Sequence, residues 1–108
     1  MNDRKLSLVT DFYELTMSNG YFEKNMHNTI AYFDVFFRRQ PFNGGFSVFA
    51  GLDTLLDAIT DFTFSSEDIE YLKLQNIFDD EFLNYLKDFR FNGTIYAFEE
   101  GSIVFPQE

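Results

Sequence analysis

Sixteen phenylalanines and six tyrosines stand in a chain of 108 residues that has no tryptophan. Each aromatic ring that folds away removes roughly 150–250 Å² from water. A domain of this length has a large surface for its volume. Two outcomes are open. Either the core is unusually rich in Phe, or part of the apolar surface faces another domain or a second subunit. Composition alone does not separate them. The length allows one domain of ordinary size. No repeat, low-complexity tract or linker interrupts residues 1–108, so a single domain is expected.

Charge narrows the function. Eighteen acids against eight bases leave a net charge of −10. A surface this negative repels phosphate backbones and anionic lipid, so neither nucleic acid nor membrane is an expected partner. No run approaches the ~20 apolar residues of a membrane span. The opening Met1-Asn2-Asp3-Arg4-Lys5-Leu6-Ser7 lacks the apolar stretch of a secretory signal. The absence of cysteine excludes disulfides, thiol catalysis and thiolate metal sites. A single histidine, His27, cannot build a multi-histidine metal centre. A soluble cytoplasmic domain is the expectation. The acid is uneven: residues 1–52 hold five acids and five bases, and residues 53–108 hold thirteen acids and three bases. An anionic substrate is better tolerated near the first half.

Residues 9–24 read as a helix, with Thr10 or Asp11 as N-cap. Phe12, Leu15 and Phe22 line one stripe of it, and Tyr13, Met17 and Tyr21 an adjacent one. Lys24 to Asn28 reads as a loop. Residues 29–37 are rich in aromatic and β-branched types and predict a strand covered on both faces. Arg38 to Gly45 predicts a loop from its Pro, Asn and Gly content. Phe46 to Ala50 predicts a second strand. Gly51 opens a helix to Thr60, with Leu52, Leu55, Leu56 and Ile59 on one face. Ser65 with Asp68 matches a capping box and opens a helix to Leu74. Asp79 caps a further helix, with Phe82, Tyr85, Leu86 and Phe89 at core spacing and Phe78 placed to staple onto Leu83. Residues 93–98 and 102–105 predict strands around Glu99-Glu100-Gly101. The expected class is α+β: an N-terminal helix, mixed or antiparallel strands, and a cluster of three later helices. The chain stops directly after a strand, as a fragment would.

Few residues offer chemistry. His27 lies among polar neighbours and reads as a solvent-exposed loop residue. Asp79-Asp80-Glu81 can chelate a divalent cation, but the cluster fits a helix N-terminus better, where carboxylates offset the dipole. Gly44-Gly45 can bring backbone amides against a phosphate or can simply form a loop. Neither G-x-x-x-x-G-K-[ST] nor G-x-G-x-x-G occurs. Two features remain. Thr10-Asp11-Phe12-Tyr13 presents a carboxylate and a phenol ring from one helical turn; its structural alternative is a cap and a packed ring. Arg38-Arg39 ends an apolar strand before a glycine loop. A phosphate would satisfy both guanidiniums through bidentate hydrogen bonds, as would Asp34 or the acidic second half.

These stretches resemble a known family. Thr10-Asp11-Phe12-Tyr13-Glu14-Leu15-Thr16-Met17 is similar to the T-D-x-Y-x-L-T-M motif of nicotinate phosphoribosyltransferases. Phe33 to Phe46 resembles the family's F-D-x-F-F-R-x-x-P-F-x-G-G-Y, with Phe46 where the family usually has Tyr. Phe49-Ala50-Gly51-Leu52 and Glu100-Gly101-Ser102-Ile103-Val104-Phe105-Pro106 continue the likeness. The resemblance implies an enzyme that joins nicotinate to 5-phosphoribosyl 1-diphosphate, with ATP hydrolysis, to give nicotinate mononucleotide in NAD salvage. It implies that this chain is part of the N-terminal domain of a type II phosphoribosyltransferase. The α/β barrel that follows in the family holds most phosphoribosyl diphosphate contacts and a phosphorylated histidine, which His27 does not match. ATP and Mg are therefore expected elsewhere, with no catalytic residue in residues 1–108. The family's tyrosine stacks on the pyridine ring, often across a dimer interface, and Tyr13 matches it. Asp11 would orient ring contacts, Arg38 would meet a phosphate oxygen, and Arg39 would accompany it. A homodimer or larger assembly is implied, and the F-F-R block favours nicotinate over nicotinamide. The alternative is a truncated, non-catalytic homologue serving as an oligomerisation or binding module.

Overall fold

The computed structural model describes residues 6–108. Met1–Lys5, on which part of the leader-peptide reading rests, lie outside them. In chain order the elements are α1 (Phe12–Glu23), a 3-10 turn (Pro41–Asn43), β1 (Ser47–Val48), α2 (Leu52–Thr60), α3 (Ser66–Leu74), α4 (Asp80–Asp88) and β2 (Ile103–Val104). Helices and one antiparallel strand pair make the chain α+β, as expected. The chain divides into two compact units. One holds the residues up to 30 together with 60–91, and the other holds 31–59 and 92–108.

The first unit is a three-helix cluster of α1, α3 and α4. The grouping differs from the expected one, because α2 up to Ile59 belongs to the second unit. α4 is the centre, and both α1 and α3 pack on it. Its Phe82, Leu83 and Leu86 are buried with Leu15 of α1 and Ile69 and Leu72 of α3. Phe78, just before the helix, is buried too; its ring meets Phe12 at 5.9 Å and Phe82 at 5.4 Å between centroids. A second aromatic layer follows, with Phe62, Phe64 and Phe89 meeting edge to face at 5.4–6.2 Å. Such offset contacts suit the ring quadrupole.

The capping box at α3 forms in full. The Ser65 hydroxyl accepts from the Asp68 N–H at 3.1 Å, and the Asp68 carboxylate accepts from the Ser65 N–H at 2.8 Å. The buried Ser7 hydroxyl donates to the same carboxylate oxygen at 2.8 Å. This ties the segment ahead of α1 to the start of α3. Ser65→Ala should therefore cost about 1 kcal/mol, the usual loss of an N-cap. Urea denaturation would measure it, and an unchanged midpoint would contradict the role.

The second unit is less regular. β1 and β2 pair antiparallel, with Ser47 opposite Val104 and Val48 opposite Ile103. The ladder runs on through the Phe49 N–H to the Ser102 carbonyl and the Gly101 N–H to the Phe49 carbonyl, both 2.8 Å. The turn at Glu99-Glu100-Gly101 forms as expected, with Gly101 at φ +86°, a conformation glycine adopts at no steric cost. The expected strands at 46–50 and 102–105 shrink to two residues each. Those at 29–37 and 93–98 are not formed. A strand exists only by pairing, and the described residues supply no partner for either segment.

Candidate functional site

Asp11 and Tyr13 lie in the first unit. Asp11 is the N-cap residue of α1 by its backbone (φ −67°, ψ 140°), and its carbonyl accepts from the Glu14 N–H at 3.1 Å. Its carboxylate makes no capping hydrogen bond, which corrects the expected role of this side chain. The acid is exposed at a helix start, where the dipole favours an anion. The two stripes of α1 then separate cleanly. Leu15 is buried, and Phe12 and Phe22 carry core contacts. Tyr13, Met17 and Tyr21, one turn apart, are all exposed. They form a strip of two phenol rings and a thioether, a surface suited to a flat, polarisable ring.

Arg38 and Arg39 lie in the second unit, at a bend, both exposed. Neither makes an ion pair or hydrogen bond among the described residues, and Asp34 does not reach them. The expected strand that would carry them is not formed, so they stand on irregular chain. The loop that follows is tight. The Gly44 N–H donates to the Pro41 carbonyl at 3.0 Å, and a Cβ on Gly44 would sit 3.3 Å from that oxygen. Phe42 and Asn43 both take left-handed backbone, at φ 56° and 53°. For a bulky residue such as Phe42 this is strained, by about 1–3 kcal/mol, and its ring stands fully in solvent. Sequence reading had no sign of that, because Phe at a left-handed position has no propensity signature. Arg38 and Arg39 are also the only two bases in their unit, against six acids there. The neutrality of residues 1–52 is thus a property of the chain order and not of either folded unit.

Two expectations about lone residues change. His27 is half-buried, its ring 5.0 Å from Phe22 and 5.1 Å from Tyr85, with Nδ1 buried and without a hydrogen-bond partner among the described residues. It is part of the aromatic packing and not a solvated loop residue. Asp80 and Glu81 occupy the first turn of α4, in keeping with the dipole reading, although Asp79 makes no side-chain cap. No three His, Asp or Glu gather within reach of a single metal ion among the described residues.

Glu100 has a role that sequence reading missed. Its two carboxylate oxygens accept from the Gly51 N–H at 2.7 Å and the Leu52 N–H at 3.0 Å, capping the start of α2 from 48 residues away. These two donors hold its carboxyl below the usual carboxylate range. A lowered pKa in the fold means the cap contributes above the unfolded value and is lost as pH falls through the folded one. Amide exchange at Gly51 and Leu52 should accelerate on acidification below the ordinary carboxylate range, and Glu100→Gln should make it faster already at neutral pH. Exchange independent of pH beyond the intrinsic rate would contradict this.

A sequence profile described as the nicotinate phosphoribosyltransferase (NAPRTase) N-terminal domain matches residues 8–108. The chain belongs to the nicotinate phosphoribosyltransferase family. A nicotinate phosphoribosyltransferase of Caenorhabditis elegans is 48% identical over 105 residues, which cover 93% of this chain and 18% of that protein. One of Dictyostelium discoideum is 39% identical over 102 residues, 93% of this chain and 17% of the relative. One of Bacillus subtilis is 38% identical over 106 residues, 98% of this chain and 22% of the relative. The chain thus spans about a fifth of the length of these curated relatives and corresponds to their N-terminal domain. No helix among the described residues is long and apolar enough to cross a membrane.

Proposed function

We propose that this chain serves as the N-terminal part of a nicotinate phosphoribosyltransferase, whose complete form joins nicotinate to 5-phosphoribosyl 1-diphosphate. The family match over residues 8–108 carries the reading. The side chains left unoccupied agree with it. Tyr13, exposed on α1, offers an aromatic face to the pyridine ring, with Met17 and Tyr21 extending the strip. Asp11, with its carboxylate uncommitted, orients polar groups beside that ring. Arg38, unpaired, meets a phosphate oxygen, and Arg39 supports it. Loss of diphosphate from C1 of the sugar builds positive charge there, so the protein's task is to position the ring and to steady the departing anion. On this reading the ATP and magnesium sites belong to the type II barrel outside these residues, and the working form is a homodimer or larger.

The test is a chimera. Residues 1–108 replace the matched region of the Bacillus subtilis relative, and nicotinate mononucleotide is assayed with nicotinate, phosphoribosyl diphosphate and ATP. The chimera should turn over, and the 108-residue chain alone should give no product above blank. A folded chimera without activity would overturn the reading, as would turnover by the isolated chain.

A further inference from the structure

Asparagine stands directly before glycine at three places, Asn19-Gly20, Asn43-Gly44 and Asn92-Gly93. This pair has a covalent chemistry of its own. The glycine's backbone nitrogen, once it has lost its proton to solvent base, attacks the asparagine Cγ, and glycine has no Cβ to obstruct the approach. The N–Cγ bond forms, the Cγ–Nδ2 bond breaks, and Nδ2 leaves as ammonia with a proton from water. The succinimide ring that results takes up one water molecule. Opening at one carbonyl gives aspartate. Opening at the other gives isoaspartate, in which the main chain runs through the side-chain carbonyl. The net reaction consumes water and releases ammonia, and no other reactant is needed.

All three pairs share this chemistry, so the fold chooses between them. Attack needs a nitrogen whose N–H is not held in a hydrogen bond and a backbone free to swing it onto Cγ. Gly20 lies inside α1, where the helical ladder occupies its N–H. The Asn19 side chain is held too, its Nδ2 donating to the Glu23 carboxylate at 3.5 Å. Gly44 follows the 3-10 turn, and its N–H donates to the Pro41 carbonyl at 3.0 Å. Asn43 and Gly44 are both exposed, so access to water does not protect or condemn a pair by itself. Asn92 and Gly93 are exposed as well, and no hydrogen bond reaches either of them among the described residues. The chain from Asn92 to Phe98 is irregular, so nothing in it fixes the backbone angles at this pair.

We propose that Asn92 is a self-modification site, which converts through a succinimide to a mixture of isoaspartate and aspartate, while the hydrogen bonds at Gly20 and Gly44 shield Asn19 and Asn43. The position gives the change a consequence. Asn92 is where the chain passes from the first unit into the second. Either product places a further carboxylate in a unit that already has six acids against two bases. Isoaspartate also lengthens the main chain by one atom at that crossing.

Peptide mapping by mass spectrometry, with fragmentation that separates isoaspartate from aspartate, tests this on the 108-residue chain incubated in mildly alkaline buffer. Asn92 should lose its amide about tenfold or more faster than Asn19 or Asn43, as expected where local opening controls access to a held amide. Both isoaspartate and aspartate should appear. In concentrated urea the three rates should converge, because the hydrogen bonds that set them apart are gone. Gly93→Ala should slow the reaction at Asn92, because its methyl group crowds the attacking nitrogen, and should leave the circular dichroism of the helices unchanged. Reaction at Asn43 or Asn19 as fast as at Asn92 in the folded chain, or no reaction at Asn92, would overturn the proposal. Aspartate without isoaspartate would overturn the succinimide route. An order of rates that persists in urea would trace the preference to neighbouring residues and overturn the part given to the fold. Should Gly93→Ala disturb the fold, the comparison of the parent chain with and without urea still decides.

Discussion

Phe82→Ala should destabilise the first unit by about 3–5 kcal/mol, the usual cost of emptying a buried Phe site. The ring is completely buried and lies 5.4 Å from Phe78, 5.7 Å from Phe22 and 6.3 Å from Tyr85, centroid to centroid. It packs against Phe22 of α1 as well as Phe78 and Tyr85, so no neighbour can collapse into the void without giving up its own contacts. A small unit has little stability to spare, and at 25 °C the variant should be largely unfolded. Phe33→Ala is the matched control. That ring is exposed, and its removal should change stability by less than about 0.5 kcal/mol. Denaturant titration followed by circular dichroism gives both values. Equal effects would contradict the division of the phenylalanines into a core set and an uncovered set.

The second large effect concerns the site. In the chimera, Arg38→Ala should raise the KM for phosphoribosyl diphosphate about 10–100-fold, the loss of a charge-assisted contact worth about 1.5–3 kcal/mol. The KM for nicotinate should barely move. Tyr13→Ala should do the converse, weakening nicotinate through lost stacking of about 0.5–1.5 kcal/mol beyond the buried area. Tyr13→Phe should keep most of the affinity, because the proposed contact is made by the ring face. The split between the two substrates separates binding roles from a general loss of fold, which would lower both together. Arg38→Ala and Tyr13→Ala variants with the same kinetics as the parent would remove both residues from the site.

Local chemistry made the first unit readable. Ser65 and Asp68 form their box within four residues, so the start of α3 could be placed from sequence alone. The spacing of Phe82, Tyr85, Leu86 and Phe89 placed α4 and its inward face. The misses share one cause, a dependence on residues far away in the chain. His27 stands beside polar neighbours, yet Tyr85 from a distant helix closes over it. Glu100 reads as a turn residue, yet it caps a helix that begins 48 positions earlier. Residues 29–37 have strand composition, but a ladder needs a second strand. Among the candidate site residues, the chemistry of Tyr13, Arg38 and Arg39 was legible, but their exposure was not, because a packed ring and paired guanidiniums fit the same sequence. The uncommitted carboxylate of Asp11 was not, because capping propensity predicts the opposite.

The aromatic excess also finds its explanation. Phe12, Phe22, Phe78 and Phe82 pack together in the first unit. Phe33, Phe36, Phe42 and Phe46 of the second unit stay in solvent. The Phe-rich core that composition allowed is thus found in the first unit, while these rings of the second unit lie exposed.

The most direct measurement is a crystal structure of the chimera with nicotinate bound. The pyridine ring should lie against the Tyr13 phenol, with centroids about 4.5–7 Å apart as in other aromatic pairs. Nicotinate seated elsewhere, with Tyr13 still open to solvent, would contradict the account.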